Sequence, residues 1–224
     1  MFLLGERFQK RRNQNKLQLN NDNAKAPRKS GGFCVDKHPT LKYTVCMNIF
    51  YLDNDTTKCA EYHVDKHVVK MILEYCQLLS TAHRLLDGLQ EPGFSKTGRN
   101  VKRWRLLDQR DSVLYQATHI NHPSAIWARE SRENYVWLAD LLIKLCKEYT
   151  RRYNRIHKCE SDGLVKALQE IPNNIKSGGF TQPTPAMPDE YKGEDSIVSY
   201  RTYYIKDKYR MASWKTREVP VWYN

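Results

Sequence analysis

The chain has no uninterrupted apolar run of 18 or more residues, so no segment reads as a bilayer-spanning helix. Its first residues, Met1-Phe2-Leu3-Leu4-Gly5-Glu6-Arg7-Phe8, are too briefly apolar for a secretory signal. The six cysteines are scattered, without a Cys-x-x-Cys pair, which argues against a disulfide framework or a structural zinc site and for a reducing compartment. Alternating strand patterns are nearly missing and no internal repeat occurs, which leaves helices as the main building material. Acidic residues are also in deficit: 37 lysines and arginines face 25 carboxylates, a net charge of +12. Such an excess points to an anionic partner, nucleic acid before membrane. An apolar share of 40% is modest, yet five tryptophans and fourteen tyrosines supply bulk for a core.

Charge is concentrated at the front. Residues 1–33 carry Arg7, Lys10, Arg11, Arg12, Lys16, Lys25, Arg28 and Lys29 against only Glu6 and Asp22, half the net charge of the chain. This composition, closed by Lys29-Ser-Gly-Gly-Phe33, predicts a basic flexible arm over 1–42, followed by one helical domain over 43–224. An extension without a role in the folded domain is the other reading of the arm. The expected fold is mainly α: a single compact helical domain with long central helices and little or no sheet.

Within that domain Met47–Asp53 reads as a short extended run, and Asn54 and Asp55 offer capping chemistry to a long helix from near Thr56 to Asp87. A polar loop is expected over 89–103, a shorter helix over Gln109–His119 and a long helix from Ala125 to Tyr153. Beyond these come a small helix at Leu164–Glu170, a proline-rich strap from Ile171 to Pro188 and a last helix over Asp195–Met211.

The first long helix is the most informative. At 100° per residue, Val64, Val68, Met71, Ile72, Tyr75, Leu78, Leu79 and Ala82 form its core-facing stripe. His63, His67, Lys70 and Glu74 stack along one edge, at the border between core and water. That border position can shift pKa values toward catalytic use. Alternatively the histidines are packing residues and Lys70 and Glu74 a surface i,i+4 pair. Lys70 is the candidate amine if burial and neighbouring imidazolium ions favour its neutral form; Glu74 is the candidate carboxylate. His122, in the turn Asn121-His122-Pro123, and its neighbour His119 would face the same pocket. His63 and His67 also have the spacing of two metal ligands, with His119 or His122 as a third, so a metal-dependent hydrolase is a further alternative. No metal or other cofactor is assigned.

Aromatic and basic residues interleave in three places, a pattern suited to stacking on bases and neutralising phosphates. One is Arg103-Trp104-Arg105, preceded by Lys96, Arg99 and Lys102. The second is the last helix with Tyr203, Lys206 and Arg210. The third is the C-terminal set Trp214, Trp222 and Tyr223. Residues of the last helix equally suit burial of a tyrosine face.

In order along the chain stand Met47-Asn-Ile, Ala60-x-x-His63, Asn121-His-Pro123, a helix ending in basic residues, Met187-Pro-x-x-Tyr191 and Pro220-x-Trp-Tyr223. This series resembles a group of uncharacterised phage proteins and, more remotely, the viral pyrimidine-dimer DNA glycosylases of the endonuclease V type, which are small and all-α. The resemblance implies an amine that attacks C1′ to form an imine, a glutamate of the first helix that assists, and strand cleavage by β-elimination. It matches His63 to a histidine of that family's first helix, and Trp222 and Tyr223 to a terminal aromatic pair near DNA. Aligned without gaps, the family's glutamate falls near Lys70, with Glu74 one turn further. The family's amine is the α-amino group exposed by removal of the initiator Met. Here the residue after Met47 is Asn rather than a small one, and as written its nitrogen lies in mid-chain, so Lys70 would take the amine's place. The expected function is DNA binding with base glycosylase and lyase chemistry in a cytoplasmic, host-cell setting. A non-catalytic nucleic-acid-binding or virion-associated protein is the alternative.

Overall fold

The computed structural model describes residues 47–95 and 97–224; the expected basic arm over 1–42 and Lys96 lie outside the described residues. Eight α-helices and one two-stranded hairpin make up the described chain, so it is mainly α with a single small sheet. The helices are α1 (Thr56–Tyr62), α2 (Asp65–Asp87), α3 (Arg110–Val113), α4 (Pro123–Glu130) and α5 (Arg132–Tyr153), then α6 (Lys158–Ser161), α7 (Leu164–Ala167) and α8 (Ser196–Lys206). Strands β1 (Leu89–Phe94) and β2 (Asn100–Arg105) pair antiparallel, with Leu89 opposite Arg105 and Phe94 opposite Asn100. Helix α2 is the centre: α4 and α5 pack against it, and α1 packs on α5. No described helix is long and apolar enough to cross a membrane.

The stripe read from the sequence is the buried face of α2, with Val68, Met71, Ile72, Tyr75, Leu78, Leu79 and Ala82 fully inaccessible. The single long helix expected from Thr56 does not form, because the chain turns at His63–Val64. Partners distant in sequence take the carbonyls that end α1. Arg152 of α5 donates to Glu61 O at 2.9 Å and His63 O at 2.8 Å, and Trp214 Nε1 donates to Tyr62 O at 2.9 Å. With these carbonyls satisfied, the last turn gains nothing by continuing as helix. His63 therefore leaves α2 and closes α1.

The expected Ala125–Tyr153 helix breaks as well, at Ser131. Its hydroxyl accepts from Asn134 N as the cap of α5 and donates to Gly179 O at 2.8 Å, so the proline-rich strap docks into the break. Glu133 accepts from Ser177 Oγ and from the amides of Gly178 and Gly179, fixing the strap there. The helix expected over Gln109–His119 shrinks to one turn, α3, because the carbonyls of Asp111, Leu114 and Tyr115 turn inward to Arg84.

Residues 47–52 run extended through the helical core without a strand partner, and all six are buried. Buried backbone amides need acceptors, and side chains supply them at alternate residues. Asn48 N donates to Glu74 Oε2, Phe50 N to Tyr75 Oη and Leu52 N to Cys59 Sγ. The core is thus built around one extended segment whose amides bind α1 and α2.

Candidate functional site

Lys70 and Glu74 meet one turn apart on α2. Glu74 Oε1 lies 3.0 Å from Lys70 Nζ, and Oε2 accepts from Asn48 N at 3.3 Å. The Lys70 side chain is 55% exposed while Glu74 is buried, so the pair spans the boundary between core and solvent. Burial raises the Glu74 carboxyl above its ordinary range, against the opposing pull of Lys70 and of the Asn48 amide. The side chain of Asn48 is held in turn: Nδ2 donates to Ala186 O at 2.8 Å, and Oδ1 accepts from Tyr200 Oη at 2.6 Å. A segment of the strap and a tyrosine of α8 therefore position the nitrogen that faces Glu74.

The histidines lie deeper. His63 Nδ1 is 2.6 Å from Cys59 O, which can only accept, so Nδ1 carries the proton and Nε2 accepts from Tyr75 Oη at 3.2 Å. His67 stacks on Phe50, with ring centres 4.1 Å apart, and bonds through Nδ1 to Tyr204 Oη at 2.6 Å. Burial holds His63 down to about 4 and His67 well below its ordinary value, so both are neutral at pH 7. His63 and His67 are therefore not the imidazolium neighbours expected beside Lys70.

His122 caps α4, its Nδ1 accepting from Ser124 N at 3.2 Å. Ser124 Oγ donates to Met47 O at 3.4 Å, so this turn abuts the segment that carries Asn48. His119 adopts a left-handed φ of 47° in the exposed turn before it. Among the described residues no group of three or more His, Cys, Asp or Glu could hold a metal. For the histidines the reason is local, since the rings of His63, His67 and His122 are already engaged within the fold.

Neutral buried histidines carry a pH consequence. His63 and His83 both sit near pH 4 in the folded chain against an ordinary 6.5. Between those values the unfolded chain binds more protons, so stability present above 6.5 is lost as pH falls toward 4. Each should cost about 2 kcal/mol by pH 5, with His67 acting in the same direction and Glu74 opposing. Urea midpoints at pH 7.5 and pH 5 check this; equal midpoints would contradict the neutral buried rings.

The basic-aromatic patches divide. Arg103 and Trp104 are half-buried and Arg105 is exposed on β2, with Arg105 Nε 3.2 Å from Glu91. Lys206 and Arg210 are exposed. Tyr203 and Trp214 are buried, unlike the open stacking surfaces expected: Lys208 covers the Tyr203 ring at 4.6 Å, and Trp214 is spent on α1. Trp222 and Tyr223 are half-buried, packed against Tyr62 and Tyr204 and against Trp214 respectively. Arg201 stacks over Trp222 at 5.1 Å and donates to Leu52 O. Sequence reading gave Asn48, Tyr75, Tyr200, Arg201 and Tyr204 no part in the site, and placed Tyr75 only in the core-facing stripe.

Neither a curated protein nor a solved structure matches the chain. A family model described as pyrimidine dimer DNA glycosylase matches residues 47–161, just over half the chain, and spans Asn48, His63, Lys70, Glu74 and His122. Together with a mainly helical fold and a lysine–glutamate pair at the edge of the core, that match makes the chain a member of the pyrimidine dimer DNA glycosylase family, with a glycosylase-type DNA-repair function and DNA as its partner.

Proposed function

We propose that the protein is a DNA base glycosylase and abasic-site lyase working through an amine held on Glu74. One observation carries this reading: a single buried carboxylate engages two nitrogens, Lys70 Nζ at 3.0 Å and Asn48 N at 3.3 Å. In the chain as it stands Lys70 is the amine. Glu74 takes a proton from it, and the neutral nitrogen bonds to C1′ as the glycosidic bond breaks and the base leaves with its electron pair. The adduct opens to an imine as Glu74 returns its proton to the sugar O4′, which restores the carboxylate. The carboxylate then removes a C2′ proton, and the C3′–O bond breaks with its electrons on the departing phosphate. His63 and His67 support the pocket from behind as neutral partners of Tyr75 and Tyr204, and His122 braces the Met47 segment.

A second reading has its own support. The family match begins at Met47, and Asn48 N already rests on Glu74. A chain cut between Met47 and Asn48 would place an α-amino group there. Lys70 would act on DNA held by the arm over 1–42 and by Arg103, Trp104, Arg105, Lys206 and Arg210 of the 43–224 domain; in the cut chain, which has lost the arm, those five domain residues would hold it. The exposed parts of Trp222 and Tyr223 would lie beside the strand.

Borohydride trapping on duplexes carrying an abasic site or a pyrimidine dimer tests both readings. The full chain should form a covalent complex and Lys70→Ala should lose at least 100-fold in yield. That substitution removes an exposed group whose ion pair contributes at most about 1 kcal/mol, so the fold survives. Trapping confined to a version beginning at Met47 moves the nucleophile to the terminal amine. No trapping with any version overturns amine catalysis.

A further inference from the structure

The hairpin that follows α2 takes no part in the proposed bond-making steps. Over residues 89–105 the sequence holds Lys96, Arg99, Lys102, Arg103 and Arg105 against the single carboxylate of Glu91. Arg99 and Lys102 are exposed and, among the described residues, have no ion-pair partner. Phe94, at the turn end of β1, is 72% exposed. A lone two-stranded hairpin is marginal in water, so its order must come from the body. Arg84 of α2 supplies it, donating to Trp104 O at 2.7 Å. Gly88 allows the close approach, since a Cβ there would lie 2.5 Å from Arg84 O and 3.2 Å from Trp104 Cβ. A concavity of 370 Å³ under the hairpin is lined by Arg84, Phe94, Arg103, Trp104 and Asp111.

We propose that the whole hairpin, beyond the contacts of Arg103, Trp104 and Arg105, is a ribbon that lies along a groove of duplex DNA some way from the lesion; the proposal rests on the DNA-repair reading of the Glu74 site. The major groove of B-DNA admits a two-stranded ribbon, and the cations sit where such a ribbon meets phosphates. Duplex DNA is favoured over a single strand because the ribbon is paired and anchored rather than an open aromatic platform. From Glu74 the hairpin begins about 20 Å along α2, roughly six base pairs of duplex. The ribbon thus grips DNA away from the reacting nucleotide, fixing position without touching chemistry.

The experiment measures binding of the full chain to a duplex with an uncleavable abasic analogue between 50 and 200 mM salt, by fluorescence anisotropy. The double variant Arg99→Gln/Lys102→Gln is compared with Lys158→Gln, an exposed cation of α6, as control. Each phosphate contact removed should flatten the log–log salt slope by about 0.9 on duplex. The double variant should therefore flatten it by close to two units, and Lys158→Gln should leave it unchanged. Phe94→Ala should weaken duplex binding several-fold at constant slope. An unchanged slope in the double variant, or equal flattening by the control, overturns the proposal; the cations then serve only to keep the hairpin edges from pairing with other chains. Flattening as large on the matching single strand overturns the groove assignment. Because binding is read without turnover, a flattened slope with no borohydride trapping leaves the ribbon standing and removes the Glu74 reading. Trapping with an unchanged slope does the reverse.

Discussion

Glu74→Gln is expected to lower single-turnover strand scission by about 10²- to 10⁴-fold while leaving the fold and the affinity for DNA intact. Gln keeps the length and planarity of the side chain, and its amide oxygen can still accept from Asn48 N, which now bonds Oε2 at 3.3 Å. The substitution also relieves a buried group whose ionised form is disfavoured by its surroundings. Stability should therefore hold within about 1 kcal/mol. What Gln cannot do is take a proton from Lys70 or from C2′. This separates the role Glu74 has in the fold from the one proposed for it in the reaction. As the partner of a buried backbone amide it is replaceable by an amide; as a proton acceptor for an amine it is not. A scission rate within threefold of the parent, in a variant that melts and binds DNA normally, would reduce Glu74 to a structural acceptor.

The second large effect concerns the base of the hairpin. Arg84→Met should cost about 3–5 kcal/mol of stability, because it strands several buried acceptors at once. The Arg84 guanidinium is buried and donates to Tyr115 O at 2.6 Å, to Trp104 O and Asp111 Oδ1 at 2.7 Å, to Leu114 O at 2.8 Å and to Asp111 O at 2.9 Å. Five donors in a rigid fork meet five bonds, a match that lysine cannot reproduce, so Arg84→Lys should recover little. For a domain of this size the loss corresponds to a melting temperature lower by about 10 °C. Calorimetry on both variants checks it. A drop under about 2 °C for Arg84→Met would show that water replaces the guanidinium and that the hairpin base is not organised by this residue.

Periodic and local features were legible in the sequence. The apolar stripe of α2 can be read at helical spacing and is fully buried, and the i,i+4 relation of Lys70 and Glu74 brings them together as their positions require. Asp55, one of the two residues offered as a cap, caps α1. What could not be read was set by residues far away in the chain. The turn at His63 depends on Arg152 and Trp214, about 90 and 150 residues on. The break at Ser131 depends on the strap near Gly179. Pro92 and Gly93 suppress any strand signal over β1, whose pairing with β2 needs the anchor at Arg84. At the site the sequence points to Lys70 and Glu74 but not to Asn48, whose nitrogen reaches Glu74 only because the 47–52 segment runs through the core. Glu74, one turn beyond the position where the ungapped comparison sets the family's glutamate, is the residue that meets that nitrogen.

Mass spectrometric mapping of the borohydride-reduced protein–DNA complex tests the central claim most directly, because it identifies the nitrogen that attacked the sugar. The sugar remnant should lie on Lys70 in the full chain, or on the Asn48 nitrogen in a chain processed to that residue, and should disappear with Glu74→Gln. A remnant on any nitrogen that does not rest on Glu74, or one that persists unchanged in Glu74→Gln, would contradict it.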